Sequence, residues 1–267
     1  MLICPLCQQP LQPQEQRLCC ASGHSVDRAR QGYYNLLPVQ HKRNLDPGDN
    51  AVMVEARRRF LDAGYYAPFA QTLCEQAQLC KPEQWLDLGC GEGYYTAQLA
   101  AALPDSQGYG LDISRTAIKR AARRAPQLTW LVASMVRLPL TSASLQLIAS
   151  IFSPIDWAEA ARVLAPGGYL LRLGAGSEHL VELRQRLYAE VRPYDDAKHL
   201  ANLPASLQLV RTEQQQWSLL LDSAEARADL LAMTPHGWRA TEERRAALIA
   251  QPLMVTLDLR VDWLERV

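Results

Sequence analysis

The chain has 267 residues, with 28 basic and 28 acidic side chains, 48% hydrophobic and 21% charged. That balance fits one large domain, or a medium domain with a small module, and gives no global electrostatic pull toward nucleic acid. No apolar run approaches the ~18 residues of a membrane span, and the N-terminus lacks the basic and apolar regions of a secretory signal. A cytoplasmic location with reduced thiols and no membrane partner is therefore expected.

Residues 1–37 read as a small metal-stapled module. Cys4-Pro-Leu-Cys7 is a C-x2-C knuckle, and Cys19, Cys20 and His24 follow. Zinc takes four N or S ligands in a tetrahedron, and two tight turns deliver two each. The set is Cys4, Cys7, Cys20 and His24, with Cys19 open as a substitute for Cys20. A segment this short cannot hold itself together by burial, so bound metal supplies the missing stability. Four ligands leave no open position, which makes the zinc structural.

Residues 38–83 read as a polar, turn-rich linker followed by two helices, near 51–63 and 66–79, the first capped by Asn50. Residues 1–60 hold eight Lys/Arg against five Asp/Glu, an excess of three that is balanced by the rest of the chain. Lys42, Arg43, Arg57, Arg58 and Arg59 are the candidates here for contacts to nucleic-acid phosphates.

From residue 84 to 267 strands and helices alternate. Strands fall near 84–88, 107–112, 128–132, 145–152 and 168–174, with helices near 94–102, 115–124 and 156–164. Alternation of this kind makes an α/β fold with a mainly parallel sheet covered on both faces. A helix is expected over 177–191, and long strands over 213–221 and 253–265 form an antiparallel edge hairpin around inserted helices. The expectation is a Rossmann-like, seven-stranded, mainly parallel sheet with an antiparallel edge hairpin, plus the zinc-ribbon module.

The run from Trp85 to Tyr95 carries the chemistry. A buried strand ends in three alternating glycines, Gly89, Gly91 and Gly93, and a helix begins behind them. A dinucleotide fingerprint needs a third glycine at position 94, where this chain has Tyr94. The G-x-G-x-G spacing, with Asp87 ahead of it, is instead similar to motif I of methyltransferases that use S-adenosylmethionine (SAM). Asp112, at the next strand tip, is placed to accept ribose hydroxyls.

These pieces occur with Gly32-Tyr33-Tyr34-Asn35-Leu36-Leu37, with Asp46-Pro-Gly-Asp49 and with Met233-Thr-Pro-His-Gly-Trp238. Together they resemble the large-subunit ribosomal RNA guanine-N1 methyltransferases over nearly the whole chain. The resemblance implies SAM as donor, a guanine in a 23S rRNA hairpin loop as target, and a homodimer gripping RNA with its zinc modules. It implies zinc on Cys4, Cys7, Cys20 and His24, and SAM against Tyr66, Gly91, Glu92 and His179; Gly89, Gly93, Asp87 and Asp112 join that site from the motif itself. His236 and the segment Ser153-Pro-Ile-Asp156 depart from the family pattern.

Guanine N1 carries a proton at neutral pH. Asp156 and His179, both after sheet strands, are the candidate bases, and Trp238 is a candidate platform for the extruded guanine. Other readings of the same motifs are methylation of a different RNA or a small molecule, and a non-catalytic SAM-sensing zinc protein.

Overall fold

The computed structural model describes residues 2–38, 50–191, 195 and 197–267. The ribbon supplies three short antiparallel strands, β1 (Gln12–Gln14), β2 (Arg17–Cys19) and β3 (Ser25–Asp27). After it come β4 (Tyr33–Asn35), α1 (Ala51–Asp62) and α2 (Ala67–Cys80). The alternating body is β5 (Gln84–Leu88), α3 (Tyr94–Ala102), β6 (Gln107–Asp112), α4 (Arg115–Arg124), β7 (Thr129–Val132), β8 (Leu145–Ile151), α5 (Trp157–Val163) and β9 (Leu164–Ala175). The chain closes with α6 (Val181–Leu187), β10 (Leu207–Leu221), α7 (Ala224–Met233), α8 (Pro235–Arg239), α9 (Glu242–Ala250) and β11 (Leu253–Arg266).

Among the described residues the main sheet has eight strands in the order β10-β11-β9-β8-β5-β6-β7-β4. β4 through β9 run parallel where they pair, and β11 pairs antiparallel with both β9 and β10. The chain starts its Rossmann walk at β5 and reverses direction between β6 and β8, so a crevice opens at the carboxyl ends of those strands. The central strands are buried on both faces and read as apolar runs for that reason.

Three sequence expectations shift. The sheet has an eighth strand because Tyr33–Asn35 pair in parallel with Trp130–Val132; three residues are too few to show a period. The ribbon is thus sewn into the larger body, and the Ile3 amide also donates to the Pro139 carbonyl at 3.0 Å. The helix expected over 177–191 forms only at Val181–Leu187. The residues before it are tied to β11: Glu178 donates its amide to Asp258 Oδ2 at 2.9 Å, and Leu180 donates to the Thr256 carbonyl at 2.8 Å. β10 begins at Leu207 rather than 213, as a mostly exposed edge strand whose first half shows no clean alternation.

The start of α1 follows the cap read from the sequence, Asn50 Oδ1 accepting from the Met53 amide at 3.0 Å; α4 is capped by Ser114, whose Oγ accepts from the Ala117 amide at 3.3 Å.

Candidate active site

A cleft of about 1000 Å³ lies at the carboxyl ends of β5, β6 and β8 and is roofed by α1, α6 and α8. Its floor is the glycine turn. Gly89 and Gly93 both have positive φ, +79° and +82°. A Cβ on Gly89 would fall on the Ser153 side chain, and one on Gly93 would meet the Trp130 ring at 2.8 Å and Ala121 Cβ at 2.9 Å. Glycine is required at both by backbone conformation and by close packing. At Gly91 the nearest atom to a built Cβ is Arg57 Nη1 at 3.9 Å, so that position faces open cleft.

Asp112 organises the turn. Its Oδ2 accepts from the Gly91 amide at 3.0 Å and its Oδ1 from the Ser114 amide at 2.7 Å. Glu92 lines the cleft yet is buried; its Oε1 has no hydrogen-bond partner and lies 3.9 Å from Arg124 Nη2. Burial raises its pKa, with Arg124 and Arg57 pulling the other way.

An aromatic cluster forms the side wall. Phe152, at a positive φ of 51°, stacks on the His179 ring at 5.6 Å between centroids, and Tyr66 packs against both. Burial lowers the His179 pKa to about 4, so the ring is neutral. Its Nδ1 accepts from the Asp258 amide at 3.2 Å. The proton is therefore assigned to Nε2, which donates toward the Tyr66 hydroxyl at 3.4 Å. Burial pushes the Tyr66 phenol well above its usual range.

The sequence candidates sort as follows. Tyr66, Gly89, Gly91, Glu92, Asp112 and His179 line one cleft. Asp87 and Gly93 stand behind its wall: Asp87 is buried and accepts from Thr96 Oγ1 at 2.6 Å, which clamps β5 to α3. Asp156 is outside the cleft lining and caps α5 through the Glu159 amide at 3.0 Å. Among the arginines, Arg57 lines the cleft and donates to the Met233 carbonyl at 3.5 Å. Arg58 is spent on Glu55 and Asp62, and Arg59 on Asp229, so neither offers its guanidinium freely to phosphate. Lys42 and Arg43 lie outside the described residues. Trp238 is 55% exposed at the cleft mouth and anchored by its indole N–H to the Ala232 carbonyl at 3.2 Å.

Sequence reasoning missed Phe152 and Arg184 as cleft residues. Neither belongs to a motif, and both reach the site only through tertiary folding.

In the ribbon, Cys4, Cys7, Cys20 and His24 place their ligand atoms within 4.8 Å of one another. Cys4 Sγ and Cys20 Sγ lie 3.6 and 3.5 Å from His24 Nδ1, and Cys7 Sγ lies 3.6 Å from Cys20 Sγ. Zinc–sulfur bonds of about 2.3 Å and zinc–nitrogen bonds of about 2.0 Å, set at tetrahedral angles, give edges of roughly 3.5–3.8 Å. The cluster has that size. Cys19 is left out because it pairs in β2 with Gln12 and Ser25 and is not part of the cluster. A hydrogen bond from the Gln9 amide is the main cause holding the Cys7 thiol down at about 6.

Comparisons with known proteins agree with this geometry. Residues 2–45 match the zinc-ribbon family described as RlmA, N-terminal, and residues 86–168 match a methyltransferase domain. The crystal structure of the YcgJ protein from Bacillus subtilis aligns with a TM-score of 0.50 at 17% identity, covering 74% of this chain and 97% of that one. Fold and cleft define a class I, SAM-dependent methyltransferase with an N-terminal zinc ribbon. A Streptomyces fradiae protein named 23S rRNA (guanine(748)-N(1))-methyltransferase is 34% identical, over 94% of this chain and 90% of its own. A Micromonospora griseorubida protein, also named for 23S rRNA guanine-N(1) methylation, is 34% identical over 97% and 95%. The chain belongs to the family of 23S rRNA (guanine-N1)-methyltransferases.

Proposed function

We propose that this protein transfers a methyl group from SAM to N1 of one guanine in 23S rRNA. The observation that carries the reading is the cleft itself: a glycine-floored, carboxylate-tipped cradle at the sheet's switch point, opening onto aromatic and cationic walls. The residues fit SAM. Asp112 offers acceptors for the ribose hydroxyls, the orphaned Glu92 Oε1 suits a cationic group, and Gly91 leaves room where a side chain would intrude. Gly89 shapes the floor, while Tyr66 and His179 form the wall beside it. SAM, when bound, supplies an electrophilic methyl group on a sulfonium.

The protein's task is to bind, orient and exclude water, because in-line displacement at a methyl group needs little beyond positioning. Cys4, Cys7, Cys20 and His24 hold a structural zinc that fixes the ribbon. Trp238 gives the target guanine a stacking surface at the mouth. A hairpin-loop target and a homodimer follow from the sequence resemblance. A cytoplasmic site of action is supported by the ribosomal RNA substrate for which the relatives are named. No helix among the described residues is long and apolar enough to cross a membrane.

The test supplies methyl-labelled SAM with protein-free 23S rRNA transcribed in vitro. Label is expected in that RNA and is lost with Asp112→Ala. SAM binding without any transfer would leave only a SAM-sensing protein.

A further inference from the structure

Resting on that reading, we propose that Arg184 makes guanine N1 nucleophilic by taking up the negative charge that develops on O6, the N1 proton passing to solvent. Three observations meet on this residue.

First, Arg184 lines the cleft, and its guanidinium is held there by a backbone carbonyl and not by an ion pair. Its Nη2 donates to the Ser177 carbonyl at 2.7 Å, which fixes the guanidinium in place. Its Nε is buried and has no hydrogen-bond partner. No carboxylate lies within ion-pair reach of it among the described residues, whereas Arg58, Arg59, Arg124 and Arg172 are all ion-paired. A buried, unpartnered guanidinium N–H is a costly arrangement unless a ligand completes it.

Second, the lining that α6 and α8 supply is cationic. The only carboxylates among the described lining residues are Glu92 and Asp112, both at the glycine turn, where Arg57 also lies close to Gly91. Residues 181–187 and 235–239 contribute Arg184, Arg239 and His236 and no carboxylate to the lining. An anion that forms there is stabilised by groups already in place.

Third, the two bases read from the sequence, and the Nδ1 of His236, are committed elsewhere. Both His179 nitrogens are engaged, Asp156 caps a helix outside the lining, and His236 Nδ1 is paired with the Tyr188 hydroxyl at 3.1 Å. Among the described residues no carboxylate is ion-paired to Arg184, and Glu182 feels its charge only at longer range. On its own helix Glu182 is held by the Thr256 amide and hydroxyl, and on β11 Asp258 is held by Glu178 and Gln214. Glu178 itself is exposed, Arg244 on α9 is bound to the Leu187 carbonyl, and His179, His236, Tyr188 and Arg239 complete the surroundings.

The step balances as follows. The N1–H bond breaks, its proton goes to water, and the electron pair spreads from N1 onto O6 beside the guanidinium. N1 then bonds the methyl group, the S–C electron pair stays on the donor's sulfur, and O6 returns to a neutral carbonyl.

The experiment measures single-turnover methyl transfer to a 23S rRNA transcript from roughly pH 6 to 9.5, for the parent, Arg184→Gln and Arg184→Lys. SAM affinity by calorimetry and zinc content are read in parallel. The parent rate is expected to climb about tenfold per pH unit and then level off. R184Q is expected to be about 10- to 100-fold slower near neutrality, with its inflection displaced upward, so that the deficit shrinks at high pH. R184K falls between them, and SAM affinity is unchanged in all three. A deficit that is constant across pH, the absence of a deficit, or a flat parent profile overturns the proposal. If R184Q loses SAM binding, the R184K profile decides, and an unshifted inflection there overturns it. Parent protein that places no methyl on the RNA refutes the proposed function instead.

Discussion

Asp87 is the buried carboxyl group whose ionisation most opposes folding, and the effect can be measured by Asp87→Asn. The side chain is 1% exposed, accepts one hydrogen bond from Thr96, and leaves Oδ1 without a partner. Burial drives its pKa from 3.8 up to about 7; the Thr96 bond opposes this, and the Asp112 and Glu92 charges add to it. An acid whose folded pKa exceeds its unfolded value holds more protons when folded. Stability is therefore lost as pH climbs from the unfolded pKa through the folded one. Each pKa unit is worth about 1.4 kcal/mol, so between pH 5 and pH 8 the parent loses about 3 kcal/mol at this site. Asparagine cannot ionise, and its unpaired amide costs about 1 kcal/mol at every pH. The difference in Tm between variant and parent should thus move by roughly 5–10 °C in the variant's favour from pH 5 to pH 8. Calorimetric scans of both proteins without SAM read this directly, since titrating groups not coupled to Asp87 cancel. A difference that stays constant, or that moves in the parent's favour, would refute the reasoning.

Removing zinc with a chelator should strip amide-exchange protection from β1–β3 while β5 and β8 keep theirs, because the ribbon buries too little to stand alone. Unchanged exchange in the ribbon would count against a metal staple. Gly93→Ala puts a Cβ 2.8 Å from Trp130 at a φ of +82°. It should cost about 2–4 kcal/mol from backbone strain and overpacking together, seen as a lower Tm; unaltered melting would be contrary. Trp238→Ala should weaken binding of a 23S rRNA fragment by about 1–3 kcal/mol in a filter assay, with SAM affinity intact. Equal RNA affinity would move the guanine platform elsewhere.

The parallel body was legible because its strands are apolar runs separated by helices with readable caps, and because three glycines and Asp112 mark the first turn. The metal set was legible because ligand spacing is local; only the choice between neighbouring cysteines needed β2 to decide it. Features fixed by distant partners were not. Asp87 belongs to a cofactor motif by position, yet its side chain is turned to Thr96 and away from the cleft. Asp156 lies after β8 like a general base but serves the amide of Glu159. The Arg57–Arg59 run reads as one basic patch, and folding sends Arg58 along its own helix, Arg59 to Asp229 and Arg57 to the cleft. The short strand at Tyr33–Asn35 exists only because Trp130–Val132 waits at the sheet edge.

The most direct check on the account is primer extension across 23S rRNA after incubation with the protein and SAM. A methyl on N1 lies on the pairing edge and blocks the copying enzyme. The account predicts one new stop at a single guanine, dependent on SAM and on Asp112. Methyl incorporated without any stop, as on a ribose or a non-pairing edge, would contradict it.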